Sequence, residues 1–171
     1  MTDALARLVA KDEIRDVLMR YSRGIDRLDV EVLRSCYHAD SYDDHGHFKG
    51  NGHEFAEFIV DSLSGRAHHT THAVANVLIE ITDLDAGTAR AESYGLAFLR
   101  RSADDEEWLD VFFGRYVDRF EQRDGVWRIA HRVVVHDWSV SGALGAGGGF
   151  PLPMEGFTQG RRDRSDLVYL P

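Results

Sequence analysis

The chain of 171 residues predicts an α+β fold, three helices followed by a four-stranded antiparallel meander, and three observations carry that expectation. Apolar residues recur at three- and four-residue intervals through the first third of the chain, which is the helical period. From THAVANVLIEIT onward the pattern changes to long runs rich in Val, Phe, Tyr, Trp and Ile, separated by the turn-forming segments TDLDAG and SADDEE. The run from Trp108 to Trp138 folds back at Arg123-Asp124-Gly125, where Asp-Gly supplies the positive φ of a tight hairpin. Helices first and strands afterwards is the order of an α+β domain, not the alternation of a parallel α/β sheet.

The first helix runs from Asp3 to about Ile25, with Leu5, Leu8, Val9, Ile14, Val17, Leu18, Tyr21 and Ile25 as its apolar stripe among Lys, Arg, Asp and Glu. Asp29 can cap a short second helix, VEVLRSCY, whose Val32, Leu33 and Cys36 face inward. HADSYDDHGHFKGNGHE is polar and punctuated by Gly, a loop with one or two short strands. A third helix, from about His53 to Leu63, buries Phe55, Phe58 and Ile59. In the last strand, alternation puts Trp127, Ile129, His131, Val133 and Val135 on one face and Arg128, Ala130, Arg132, Val134 and His136 on the other. A strand with Arg and His in its middle is half solvated or lines a wet pocket, because a buried charge needs a partner. One domain spans 1–138; from Ser139 on, GALGAGGGF and PLP read as an extended arm, poorly ordered unless it docks on a neighbour.

Composition narrows the partners. A net charge of -9 and a pI near 5.4 argue against nucleic acid or a polybasic membrane patch, which need clustered positive charge. The single cysteine, Cys36, forbids an internal disulfide, and MTDALARLVAKDE is interrupted by charge where a signal peptide would be apolar. A cytoplasmic protein with a small-molecule partner is expected. There is no G-x-G-x-x-G opening a helix, no Walker loop, no G-x-S-x-G and no paired CxxC, so no cofactor is expected.

The order helix, helix, short strands, helix, long meander, together with YSRGIDRLD, THAVAN, GRYVDRFEQRDGVWRIAHR and the closing HDW, resembles the SnoaL-like branch of the nuclear transport factor 2-like superfamily over residues 10 to 138. The resemblance implies a cone-shaped, cystatin-like fold in which a curved antiparallel sheet wraps around the long N-terminal helix and leaves a pocket at its wide end. That branch includes scytalone dehydratase, hexachlorocyclohexane dehydrochlorinase, polyketide cyclases and the non-catalytic β subunits of aromatic-ring dioxygenases. It implies a fold without naming a reaction. A lyase or isomerase acting on a small apolar cyclic molecule is one expectation, and a non-catalytic subunit or binding module is the other. The superfamily commonly associates through the convex face of the sheet, so a homodimer is expected, with a trimer if the tail reaches a neighbour, and Trp127, Phe112 and Tyr116 would cover that surface.

Asp26 sits where the first helix ends, facing the negative end of its dipole, which costs about 0.3–1 kcal/mol when exposed; Asp26 or Asp29 could equally form the inter-helix turn. Under the resemblance, Asp26 orients His72 in HHTTHAVAN, and His72 takes a proton from carbon. Arg132 would assist a departing group, its alternative being an ion pair with Asp118 or Asp137. Tyr21 stands where the dehydrochlorinase carries Lys, which moves the reading toward dehydratases whose phenol bonds a carbonyl. Tyr94, Asn76 and Trp138 would contact substrate. Asp43, Asp44, His45, His47, His53, His68 and His69 offer a rival divalent-metal set, but no fixed third ligand follows the H-x-H pair, and no metal is expected.

Overall fold

The computed structural model describes residues 3–144 and 156–169. Helix α1, Asp3–Asp26, turns Ile14, Val17, Leu18, Tyr21 and Ile25 into the core. Gly24 is set by packing, since a Cβ there would lie 2.8 Å from Leu33 Cγ. Helix α2, Val30–Ser35, is capped by Asp29, whose carboxylate accepts the Val32 N–H at 3.2 Å. Helix α3, Gly52–Arg66, is capped by Asn51, which accepts the His53 N–H at 2.8 Å. Each cap satisfies a backbone donor that the helix itself cannot pair.

Between α2 and α3 the polar segment forms two strands, β1 at Tyr37–Asp44 and β2 at Lys49–Asn51. The meander follows as β3 His69–Asp83, β4 Thr88–Ala103, β5 Glu106–Arg123 and β6 Val126–Ala143. Asp124 and Gly125 are left-handed, with φ of 53° and 75°. Asp104 and Asp105 are left-handed too, without glycine, a conformation that Asp tolerates through its short side chain. The six strands form one curled, unclosed sheet in the order β2-β1-β6-β5-β4-β3, and α1 packs across it.

Two features depart from the expected pattern. The sheet is not wholly antiparallel, because β1 runs parallel to β6; the Ile129 N–H donates to the Cys36 carbonyl at 2.9 Å where that pairing begins. Strict alternation also fails in β6. Ile129 and Arg132 were expected on opposite faces, yet both have 0 % exposure. Phe120 pairs with Ile129 and Arg119 with His131, so Ala130 is an extra residue. Such a bulge reverses the alternation beyond it and brings Arg132 to the same side as Trp127 and Ile129.

The expected domain boundary at 138 also moves, since β6 continues to Ala143. Residues 156–169 pack back on their own chain rather than reaching out. Tyr169 donates to Asp29 Oδ2 at 2.9 Å, Arg164 to Asp29 Oδ1 at 3.1 Å, and Arg27 pairs with Asp166 at 3.3 Å. Most of GALGAGGGF, and PLP, lie outside the described residues. No helix among the described residues is long and apolar enough to cross a membrane.

Candidate active site

A cavity of about 300 Å³ opens between α1, α3 and the concave face of the sheet. Ile25, Phe55, Ile59, Leu63, Ala97, Leu99, Phe112 and Val134 make its walls largely apolar, and Tyr21, His45, His47, Arg66, His72 and Tyr116 bring polar groups to it. A wider cleft of about 470 Å³ lies between α1 and the β5–β6 turn, but Glu13, Asp16, Arg20 and Arg23 line it as an ordinary solvated helix face.

Asp26 is the last residue of α1, and both of its oxygens bind one residue of β3. Oδ1 lies 2.7 Å from His72 Nδ1, and Oδ2 accepts the His72 backbone N–H at 2.8 Å. The second bond fixes the carboxylate, so the first fixes the ring. A carboxylate only accepts, which puts the hydrogen on Nδ1 and leaves Nε2 as the basic nitrogen of a neutral ring. The two side chains are 13 % and 11 % exposed, and His72 lines the cavity.

A second Asp–His pair lies deeper. His45 Nδ1 meets Asp43 Oδ1, Tyr37 donates to Asp43 Oδ2 at 2.6 Å, and the His45 ring stacks on Phe55 with centroids 4.0 Å apart. Burial holds the pKa of His45 below the usual imidazole range, against the pull of Asp43. A neutral ring with Nδ1–H toward Asp43 accepts at Nε2, and there the Tyr21 hydroxyl stands 3.1 Å away. Tyr21 therefore donates to His45.

Arg132 does not line the cavity. Its Nε and Nη2 bind Asp118 at 2.7 Å each, and its guanidinium lies between the faces of Tyr21 and Tyr116, 4.2 and 4.3 Å from the ring centroids. Burial works against the charge, but Asp118 and the phenols hold the guanidinium well above its usual pKa. The ion pair with Asp118 is present, and Arg132 is not among the residues that line the cavity.

Tyr116 was expected on the convex surface and stands inside. Its ring fits over Gly95, where a Cβ would approach Tyr116 Cε2 to 2.7 Å. Among the described residues its hydroxyl has no hydrogen-bond partner, and it is open to the cavity. Burial pushes its pKa to about 12, so it remains a protonated donor near neutral pH. The sequence did carry a signal. Gly95 faces Gly114 across β4 and β5, and paired strand glycines mark a close approach.

Three residues expected to touch substrate do not line the cavity. Tyr94 is 41 % and Trp138 52 % exposed on the outer face, where Trp138 stacks on Phe113 at 3.8 Å. Asn76 is exposed and left-handed, with φ 48°, at an irregularity in the β3–β4 pairing. Conversely, Trp127 is buried at 2 % exposure and Phe112 lines the cavity, so neither belongs to the outer face. The histidines of the rival metal set are dispersed: His53 meets the Tyr37 carbonyl at 3.3 Å and His68 meets Glu107 at 3.0 Å. No group of three or more His, Cys, Asp or Glu gathers among the described residues.

The SnoaL-like domain family matches the chain over residues 6–133. No curated protein matches it in sequence. Among solved structures, hexachlorocyclohexane dehydrochlorinase LinA-type3 from Novosphingobium barchaimii is similar at 22 % identity and TM-score 0.72, over 88 % of this chain and 100 % of that one. A scytalone dehydratase-like protein from Novosphingobium aromaticivorans is similar at 20 % identity and TM-score 0.71, over 80 % and 90 %. The β subunit of an aromatic-ring-hydroxylating dioxygenase-like protein from the same organism is similar at 21 % identity and TM-score 0.60, over 77 % and 92 %. At these identities the likeness is one of fold.

Proposed function

The chain belongs to the SnoaL-like domain family, and from that premise we propose a cofactor-independent lyase or isomerase that removes a proton from carbon in a small, largely apolar cyclic substrate. His72 is the base, through Nε2, and Asp26 holds its tautomer and stabilises the imidazolium as it forms. The observation that carries this reading is the doubly held Asp26–His72 pair beside an apolar cavity of about 300 Å³. Such a volume is at the small end of ligand pockets, which favours one or two fused rings. Dry walls strengthen every electrostatic contact made within.

The test is exchange of the acidic carbon-bound hydrogens of 2-tetralone for deuterium, followed by NMR against the buffer rate. His72→Ala should return exchange to background with the fold intact by circular dichroism. Wild type at the buffer rate across a panel of cyclic ketones would leave the base without a task and sink the reading.

A second reading is supported by the outer face. Tyr94, Val117, Trp138 and Val140 are 41 %, 41 %, 52 % and 54 % exposed, and apolar groups so placed suit a partner. We assign that face to a homodimer, checked by light scattering at micromolar concentration. A non-catalytic subunit would use the same face, but the open cavity beside the His72 pair favours the enzyme.

A further inference from the structure

We propose that Arg66 binds a carboxylate of the substrate at the mouth of the cavity, so that the site takes small cyclic carboxylates and seats the ring between the apolar walls on which His72 opens. The inference rests on the reading of that cavity as the substrate site and gives that reading its substrate class.

Arg66 ends the inward stripe of α3. Phe55, Ile59, Leu63 and Arg66 recur at four- and three-residue steps, the period of one helix face, and all four line the cavity. An apolar stripe that finishes in a guanidinium carries its charge to the end of the space it walls. Of the residues that line the cavity, Arg66 and His47 are the exposed ones, so they mark its mouth.

This guanidinium is uncommitted. Among the described residues Arg66 makes no ion pair, and its hydrogen bond is a long one, 3.4 Å from Nη1 to Ser62 Oγ. Other residues already perform the two ordinary tasks of a basic side chain in this position. Covering the free carbonyls of the last helical turn is one such task, and Arg162 does it by donating to the carbonyls of Leu63 and Ala67. Pairing with a carboxylate of the neighbouring sheet is the other. Asp110 feels the charge of Arg66, but Arg101 holds both of its oxygens, at 2.6 and 3.2 Å, and Ser141 donates to it as well. Glu107 is held by Arg100 at 2.9 Å and by His68 at 3.0 Å.

A fork of donors is left at the mouth of a largely apolar cavity. A guanidinium grips a carboxylate through two parallel N–H···O bonds, and apolar walls that keep water away strengthen the contact beyond that of an open surface. The chain carries a net charge of -9, so its overall field repels anions. An anionic ligand is held here only by a local cation, and Arg66 is the one guanidinium among the described residues that line the cavity.

The test is calorimetric titration of the full-length protein with 2-naphthoate and with 2-naphthamide, which share ring and shape and differ in charge. Wild type should bind 2-naphthoate about tenfold more tightly, the low end for a hydrogen bond to a charged group. Arg66→Gln should erase that preference and change the affinity for 2-naphthamide less than about twofold. Arg66→Lys, which keeps the charge without the fork, should lower the preference to about threefold and serves if Arg66→Gln folds poorly. Arg15→Gln removes the same charge from the exposed face of α1 and should leave the preference whole. Equal affinity for both probes in wild type, no binding of either at millimolar concentration, a preference unchanged in both Arg66 variants, or one that Arg15→Gln removes equally overturns the proposal. The two readings fail separately. A carboxylate preference that depends on Arg66, without any exchange that depends on His72, leaves the anion site and removes the base, whereas exchange that depends on His72 without that preference leaves the base and removes the anion site.

Discussion

Asp26–His72 and Asp43–His45 join the same two side chains through the same ring nitrogen, yet the second nitrogens face different surroundings. In the deeper pair Nε2 of His45 accepts from Tyr21, Phe55 lies flat against the ring, and Tyr37 takes the other oxygen of Asp43. Every strong site is filled, and the arrangement is closed. In the outer pair the other oxygen of Asp26 holds the backbone of His72 instead, so the carboxylate is locked while Nε2 is left to the cavity. The difference teaches that a carboxylate beside an imidazole makes a base only where one nitrogen stays free. Where both are bound, the same pair acts as a tie between β1, α1 and α3.

The sharpest way to break the comparison is to remove each carboxylate in turn. Asp26→Asn should lower ketone exchange by about 10²–10⁴-fold, the range general-base catalysis contributes, with little change in melting temperature. Asp43→Asn should lower exchange less than tenfold, or about 1.4 kcal/mol of barrier, and show its effect in stability. If Asp43→Asn were the more damaging to exchange, the roles assigned to the two pairs would be reversed. A smaller effect on folding tests the support they share. Asp118→Ala would strand the buried Arg132 charge and cost roughly 3–5 kcal/mol, read from urea midpoints, whereas Asp118→Leu with Arg132→Leu together should cost less than the single change. Smaller again, His45→Phe keeps the stack on Phe55 but leaves the Tyr21 hydroxyl and one Asp43 oxygen unpaired, which should cost about 1–3 kcal/mol while ketone exchange persists.

Of the open pair, only Asp26 was marked by its own position, where a helix dipole disfavours it; His72 alone reads as an ordinary strand residue, and the resemblance supplied the pairing. The α+β order, the caps at Asp29 and the Asp124-Gly125 turn were legible in the sequence because each is decided by residues close in the chain. The closed pair was not. Asp43 and His45 lie in a Gly-punctuated polar stretch that reads as solvated loop, and only the parallel pairing of β1 with β6 buries it. Arg132 was misplaced by strict alternation, since one extra residue at Ala130 moves it across the sheet; Tyr116 was set on the convex surface by the superfamily's way of associating, whereas the alternation of β5 buries it in step with Asp118 and Phe120. Tyr94, Trp138 and Asn76 were carried to the pocket by the resemblance alone, and the curl of the sheet puts them on its other side. Long-range register, not composition, made these differences.

The smallest effect expected concerns protonation, and it separates the closed pair from a merely buried one. Burial lowers the pKa of His45 in spite of Asp43, and burial first, then Arg123 and Arg128, lowers that of His38 to about 4. In the unfolded chain both rings titrate near about 6.5. Above that pH neither state holds the protons, and the two groups leave stability unchanged. As pH falls below about 6.5 the unfolded chain takes up protons that the folded chain refuses, so stability declines toward pH 4, where His38 titrates in the fold. Urea midpoints should therefore be flat from pH 8 to 7 and fall from pH 6.5 to 5. His45→Phe should make the acid limb shallower, because it deletes one of the two rings responsible, while His38→Gln should do the same independently. A limb that stays equally steep in both variants would mean that His45 accepts its proton in the folded state without penalty, as an imidazolium between Asp43 and a Tyr21 hydroxyl turned round to accept. The closed pair would then no longer be closed, because the Tyr21 hydrogen would be released toward the cavity.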